Sequence, residues 1–126
     1  MTKVVLVAGG QLEELPSDVD AWVGVDRGSL HLIEQGIVPD LAVGDFDSVS
    51  LQEFELVQRK AKEVLRAQPE KDDTDLELAV TATFERYPDA NVTIFAAFGG
   101  RMDHTLANVF LPSNPKIAPY MERLAL

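Results

Sequence analysis

The chain has 126 residues, enough for one domain with a buried core, and its 46% hydrophobic content is typical of a soluble globular protein. Cysteine is absent, which excludes disulfides, zinc–thiolate sites and a cysteine nucleophile. The net charge of −10 argues against nonspecific nucleic-acid binding, which depends on Lys and Arg, but it leaves room for a phosphorylated small molecule.

The first half of the chain alternates apolar, β-branched segments with segments of helical periodicity. Gly36 is expected to stop the first helix as a C-terminal glycine. Ser50 and Glu53 have the spacing of a capping box, which predicts the start of a second helix. Its apolar face is expected to carry Leu51, Phe54, Val57 and Ala61. The elements predicted here are strands at 3–8, 21–25 and 41–43 and helices at 29–35 and 50–61.

The second half of the chain continues the same alternation. Thr74 and Glu77 form another capping box, so a helix is expected to begin there. The elements predicted here are a short strand at 63–67, a helix with Leu76, Val80, Phe84 and Tyr87 on one face, a strand at 91–97, a helix at 102–111 and a final strand near 122–126.

This alternation predicts a three-layer α/β fold, in which a mostly parallel sheet is flanked by helices. The fold is expected to be Rossmann-like without the GxGxxG fingerprint, since Gly9 and Gly10 after the first strand do not continue into that motif. No apolar run approaches the ~20 residues of a membrane helix. The strand pattern beginning at Lys3 leaves no room for a signal peptide, so a cytoplasmic protein is expected.

Four polar clusters each follow a predicted strand. Because the carboxyl ends of parallel strands lie on one edge of a sheet, we expect the clusters to converge there. Simpler explanations exist for single members, such as turn chemistry for Asp45 and Asp47 or a helix-dipole role for Asp73, but they do not explain the shared location. The clusters are Asp26-Arg27-Gly28, Asp45-Phe46-Asp47-Ser48, Lys71 through Asp75, and Gly99-Gly100-Arg101-Met102-Asp103-His104.

The acids in these clusters indicate metal-assisted phosphoryl transfer. Asp45 and Asp47 are predicted to hold Mg²⁺ on a polyphosphate, since Mg²⁺ takes oxygen ligands and often bridges to phosphate. Asp26 or Asp75 is expected to complete or orient this shell.

The basic residues and one predicted helix suit the phosphates themselves. Lys71 and Arg101 are expected to neutralise phosphate oxygens, Arg101 by a two-pronged contact. The helix beginning near Met102 offers free backbone N–H groups to an anion. Chemistry of this kind depends on positioning and charge stabilisation more than on a covalent nucleophile.

An ordered set of motifs resembles the thiamin pyrophosphokinase family over roughly residues 3–111. Each motif is modest alone, and the resemblance rests on their order and spacing. The motifs are Asp26-x-Gly28, Gly36-Ile37-x-Pro39-Asp40, Gly44-Asp45-Phe46-Asp47-Ser48, Lys71-Asp72-x-Thr74-Asp75-Leu76-Glu77-Leu78-Ala79 and Gly99-Gly100-Arg101-x-Asp103-His104-x-x-Ala107-Asn108.

The resemblance implies transfer of the terminal diphosphate of Mg-bound ATP to the hydroxyl of thiamin, giving thiamin diphosphate and AMP by in-line attack on the β-phosphorus. It implies ATP and thiamin as partners, a homodimer for the full-length protein, and no nucleic acid or membrane. The family also has a C-terminal β-sandwich that helps to form the thiamin site. Residues 1–126 are therefore expected to be the ATP-binding catalytic domain alone, which binds Mg·ATP weakly and turns thiamin over poorly or not at all.

Carried over position by position, the resemblance implies three groups of site residues. Asp45, Asp47 and Asp75 would be the catalytic, metal-linked acids. Asp26 and Asn108 would bind substrate, with a packing role as the alternative for Asn108. No general base is identified. The nucleotide-binding residues implied are Lys71, Asp73, Thr74, Arg101, Asp103 and His104.

Two other functions remain open from the sequence. In the first, Asp45 is the nucleophile of another Mg-dependent phosphotransferase or phosphohydrolase and forms an aspartyl-phosphate. In the second, the chain is a nucleotide-binding module without turnover. A trapped phosphoenzyme would favour the first, whereas AMP formed only in the presence of thiamin would reject it.

Overall fold

A computed structural model of the chain describes residues 2–8, 15–46, 49–66, 75–95 and 124–125. Strands and helices alternate along most of this part of the chain, as the periodicity predicts. The strands are β1 (Lys3–Val7), β2 (Ala21–Val25), β3 (Leu41–Gly44), β4 (Val64–Arg66), β5 (Asn91–Phe95) and β6 (Leu124–Ala125), and the helices are α1 (Arg27–Glu34), α2 (Leu51–Lys60) and α3 (Asp75–Arg86).

The strands form one six-stranded sheet in the order β4-β3-β2-β1-β5-β6, and every pairing is parallel. Val4 and Leu6 of β1 pack on the α3 side of the sheet, whereas Val5 and Val7 pack on the α1 side with Leu32. Successive side chains of a strand point to opposite faces, so a sheet covered on both faces needs a continuous apolar run. The predicted three-layer α/β fold is confirmed.

Local signals set the ends of two helices. The Oγ of Ser50 accepts the backbone N–H of Glu53 at 3.1 Å, and a carboxylate oxygen of Glu53 accepts the N–H of Ser50 at 2.8 Å, which completes the predicted capping box. At the end of α1, Gly36 has φ 78° and donates its N–H to the carbonyl of Ile33 at 3.0 Å, so the predicted stop is confirmed. The expectation that Leu51 packs inward is wrong, because this side chain is 75% exposed.

Helix α1 begins two residues earlier than its periodicity predicts. Its first turn lies against the end of β1, where a Cβ on Gly28 would stand 1.9 Å from the carbonyl oxygen of Val7. This close approach needs glycine, and apolar spacing does not detect it. The predicted capping box at Thr74 and the helix at 102–111 lie outside the described residues. No helix in the described part is long and apolar enough to cross a membrane.

The end of α3 is tied to the sheet by Arg86, which binds Glu63 just before β4. The Nε of Arg86 donates to Oε1 of Glu63 at 3.0 Å, and its Nη2 donates to Oε2. These hydrogen bonds hold the pKa of the Glu63 carboxyl below its usual value of 4.5.

We expect Glu63→Gln to lower the free energy of unfolding at neutral pH by less than about 1 kcal/mol, because ion pairs this open to solvent contribute little. A depressed folded-state pKa contributes stability above the unfolded value of 4.5 and loses it as the pH falls through the lower folded value. Urea unfolding measured from neutral pH downward should therefore show the difference shrinking below pH 4.5. Glu55→Gln, on the exposed side of α2, is the control, and a difference that stays constant with pH would contradict this explanation.

Candidate functional site

Two of the predicted polar clusters meet at the carboxyl edge of the sheet. Asp26 directly follows β2, and Asp45 directly follows β3. The two strands are neighbours, with Val25 paired to Val43 at their ends. The structure thus brings together two acids that are nineteen positions apart in the sequence, at the edge where open parallel sheets bind ligands.

Asp26 holds the loop that carries Asp45. Its Oδ1 accepts the backbone N–H of Phe46 at 2.9 Å, and its own N–H donates to the carbonyl of Val43 at 2.8 Å. Asp26 is also the N-cap residue of α1, where an aspartate commonly accepts N–H groups of the first turn. Its side chain makes no such capping bond here. The carboxylate serves the neighbouring loop instead of its own helix.

The backbone at this junction has unusual dihedral angles. Asp26 has φ 50° and Phe46 has φ 60°, and these are the positive-φ residues other than glycine in the described part of the chain. A non-glycine residue in this region carries strain, which occurs most often at functional sites where the surroundings impose it. Since the Asp26–Phe46 hydrogen bond joins the two residues, they hold one strained junction between β2 and β3.

Phe46 anchors the loop from the other side. Its side chain is 5% exposed and packs in a core cluster with Leu30, Ala42 and Val57. Its ring centroid lies 4.9 Å from that of Phe54, with the planes tilted by 37°. Asp45 therefore stands between a buried strand and a buried aromatic side chain, which leaves its backbone little freedom.

An open depression lies further along the same sheet. The strand order reverses between β1 and β5, and such a reversal opens a ligand-binding crevice in α/β sheets. Beside the carboxyl end of β5, this open depression of about 480 Å³ has Leu15, Pro16, Ser17 and Phe95 among its lining residues.

An ion pair joins the first turns of α1 and α2 at this edge. Nη1 of Arg27 lies 3.8 Å from Oε2 of Glu53, and both side chains are partly exposed. The pKa of the Glu53 carboxyl is lowered mainly by the backbone hydrogen bond from Ser50. The hydroxyl of Ser50 and the charge of Arg27 also lower this pKa. Glu53 is thus a capping residue and a partner for Arg27, and the sequence analysis recognised only the first role.

Several predicted site residues cannot be compared with the structure. Asp75 is the first residue of α3, and only its backbone is described. In the described ranges no three acidic or histidine side chains are grouped closely enough to hold a metal. The predicted metal set also needs Asp47, so it stays a prediction. The site residues outside the described ranges are Asp47, Lys71, Asp73, Thr74, Arg101, Asp103, His104 and Asn108.

One basic residue at this edge, Arg66, is not among the predicted site residues. Arg66 ends β4, and its guanidinium carbon lies 4.9 Å from the ring centroid of Phe54. The other clusters were identified as polar residues that follow a predicted strand, and Arg66 does not meet this rule. The predicted strand at 63–67 places Arg66 inside the strand, whereas the structure ends β4 at this residue.

Most of the chain aligns with known proteins. The family model for the catalytic domain of thiamin pyrophosphokinase matches residues 12–118. The chain is 39% identical over 117 residues to thiamine pyrophosphokinase of Bacillus subtilis (strain 168), an alignment that covers 88% of this chain and 54% of that protein.

Solved structures agree with the sequence match. A thiamin pyrophosphokinase family protein from Enterococcus faecalis aligns with a TM-score of 0.89 at 42% identity, covering 99% of this chain and 61% of that one. The thiamine pyrophosphokinase structure from Bacillus subtilis aligns with a TM-score of 0.67 at 38% identity, covering 86% and 53%. The chain thus spans a little over half the length of these relatives, and it belongs to the thiamin pyrophosphokinase family.

Proposed function

We propose that this chain is the ATP-binding catalytic part, residues 1–126, of an enzyme that transfers diphosphate from ATP to the hydroxyl of thiamin, giving thiamin diphosphate and AMP. The observation that carries the proposal is the Gly44-Asp45-Phe46 loop, which Asp26 holds at the carboxyl edge with a 2.9 Å hydrogen bond. ATP and thiamin are inferred as the two substrates from membership of the family. Because the chain spans 54% of its Bacillus subtilis relative, we assign the complete activity to a longer protein. From the family resemblance, we infer that this longer protein is a cytoplasmic homodimer with a further β-sandwich domain.

We further propose that Asp45, Asp47 and Asp75 hold Mg²⁺ at this edge. Their carboxylate oxygens are the hard ligands that Mg²⁺ prefers, and the bound ion would offset the negative charge of the phosphate chain. In this proposal Asp26 is a positioning residue, because its Oδ1 already accepts the N–H of Phe46. A direct contact between Asp26 and substrate, like the contact inferred for Asn108, stays a prediction.

The reaction itself is one displacement. The thiamin hydroxyl oxygen forms a bond to the β-phosphorus of ATP while the bond from that phosphorus to the oxygen bridging to the α-phosphate breaks. AMP leaves, and the hydroxyl proton is released to solvent. Positioning and charge stabilisation are what such a transfer requires of the protein. The residues proposed to hold the nucleotide are Lys71, Asp73, Thr74, Arg101, Asp103 and His104.

Product analysis tests this function directly. We expect a version of the protein extended to the length of its relatives to release AMP only when Mg²⁺, ATP and thiamin are all present, with one thiamin diphosphate formed per AMP. The 126-residue chain is expected to bind Mg·ATP weakly and to turn thiamin over poorly or not at all. Chromatography of the nucleotides and calorimetry of the chain with Mg·ATP measure the two expectations.

Other outcomes would identify a different function. Radiolabel from the γ-phosphate of ATP that stays on the protein after denaturation would indicate an aspartyl-phosphate at Asp45. Mg·ATP binding without thiamin turnover in the extended protein would indicate a nucleotide-binding module. Either result would contradict the proposed transfer.

A further inference from the structure

Arg66 differs in its contacts from three other basic residues of the described chain, which form ion pairs. Arg27, Lys62 and Arg86 each lie within 4.0 Å of a carboxylate oxygen. In the described part of the chain Arg66 makes no ion pair within that distance, and its recorded contact is the face of the Phe54 ring at 4.9 Å. Within the described residues, the guanidinium is thus held by an aromatic ring, and no acid neutralises it.

Arg66 also lies at the functional edge of the sheet. It is the last residue of β4 and pairs in register with Gly44, the residue before Asp45. Among the described basic residues, Arg27 is the other one at the carboxyl edge, and it is paired with Glu53. The remaining ones start β1, end α2 or α3, or precede β4, which places them toward the opposite edge: Lys3, Arg59, Lys60, Lys62 and Arg86.

The contact with Phe54 orders the guanidinium without using its hydrogen-bond donors. An arginine over an aromatic ring, within about 6 Å of its centroid, is attracted by the ring's negative face. Its N–H groups lie in the guanidinium plane, so a stacked arginine can still present two of them to a phosphate. Phe54 is in turn packed against Phe46, so the residue that orders Arg66 belongs to the same cluster that anchors the Asp45 loop.

The positive charge of Arg66 favours binding of a phosphate at this edge. A chain of net charge −10 repels a polyphosphate, so bound phosphates need local positive charge at the acidic edge. We propose that Arg66 is a further phosphate-binding residue of this site, which contacts the phosphate chain of the nucleotide and is held in place by Phe54. The proposal rests on the function proposed above, since it takes the ligand to be Mg·ATP.

Calorimetric titration of the chain with three probes tests the assignment: Mg·ATP, magnesium tripolyphosphate and adenosine. We expect Arg66→Ala to weaken binding of both phosphate probes by about tenfold, the usual effect of losing one charge-assisted hydrogen bond, and to leave adenosine unchanged. Arg66→Lys keeps the charge but not the planar donors, so its loss should be smaller. Phe54→Leu, checked for folding by thermal melting, should weaken the same two probes because it frees the guanidinium. Arg59→Ala, at the far end of α2, is the matched control and should bind as the unaltered chain does.

The outcomes separate the two proposals. If the unaltered chain binds Mg·ATP and Arg66→Ala binds it equally well, the role of Arg66 is wrong while the proposed function stands. If the unaltered chain binds neither phosphate probe, the nucleotide-binding function and the role of Arg66 are both wrong. Equal loss of all three probes in Arg66→Ala would show that the residue supports the fold, which also overturns the assignment.

Discussion

Replacing Gly44 with alanine is expected to lower the free energy of unfolding by roughly 3 kcal/mol, since it adds both backbone strain and a steric clash. Gly44 has φ 150°, a conformation that residues with a Cβ rarely adopt. The added Cβ would stand 2.1 Å from Oδ1 of Asp26. Asp26 cannot turn away without losing its hydrogen bond to the N–H of Phe46, which would leave a partly buried donor unsatisfied. Urea unfolding of the chain measures the loss.

Gly36→Ala is the matched control for this prediction. Gly36 also has a positive φ, 78°, but nothing lies within 4 Å of a Cβ added there. Its substitution should show the backbone penalty alone, about 1 kcal/mol. In an Asp26→Ala background the clash at Gly44 is absent, so Gly44→Ala should cost less there than in the unaltered chain. Equal losses at Gly44 and Gly36, with no coupling to Asp26, would show that Asp26 does not constrain the loop.

Asp45→Asn is expected to reduce AMP release by about a hundredfold in the protein extended to the length of its relatives, which corresponds to roughly 3 kcal/mol of lost transition-state stabilisation. The amide keeps the size of the side chain but removes the negative charge proposed to hold Mg²⁺. The variant should also need a higher Mg²⁺ concentration to reach half of its own maximal rate. Steady-state kinetics at several Mg²⁺ concentrations measures both effects.

The control for the Asp45 prediction is an acid far from the proposed site. Asp89 is exposed in the turn before β5, at the opposite edge of the sheet, and Asp89→Asn should leave the rate and the Mg²⁺ dependence unchanged. Thermal melting of both variants checks that they fold. An Asp45→Asn protein that is folded and releases AMP at the unaltered rate would remove Asp45 from the metal site.

Most helices and strands of the described chain follow from local patterns. β2 matches its predicted bounds, and α2 begins at the capping box of Ser50 and Glu53 because two side-chain bonds between near neighbours suffice to start it. Val80 and Phe84 of α3 are buried as their spacing predicts. The exposure of Leu51 was not predictable in this way, since periodicity gives the apolar face of a helix but not how far its first turn overlaps the sheet.

For the candidate site too, local sequence patterns predict some features and not others. The polar clusters and their location after strands were visible in the sequence, because the edge of a parallel sheet on which a residue lies depends only on strand direction. The Asp26–Phe46 hydrogen bond joins residues twenty positions apart, and the contact between Arg66 and Phe54 spans two elements. Neither has a local signal, since each depends on which strands become neighbours.

The α/β class, the family, and the placement of Asp26 and Asp45 at strand ends can all be read from the amino-acid sequence. These follow from patterns of nearby residues and from the order of short motifs. Three contacts appear only in the folded chain: the Asp26 carboxylate accepts the N–H of Phe46 and does not cap its own helix, Gly44 lies against that carboxylate, and Arg66 lies over Phe54. Local patterns do not predict these contacts, because hydrogen bonds, steric contacts and ring interactions act over a few ångströms. Such contacts form only after the sheet order has brought distant segments together.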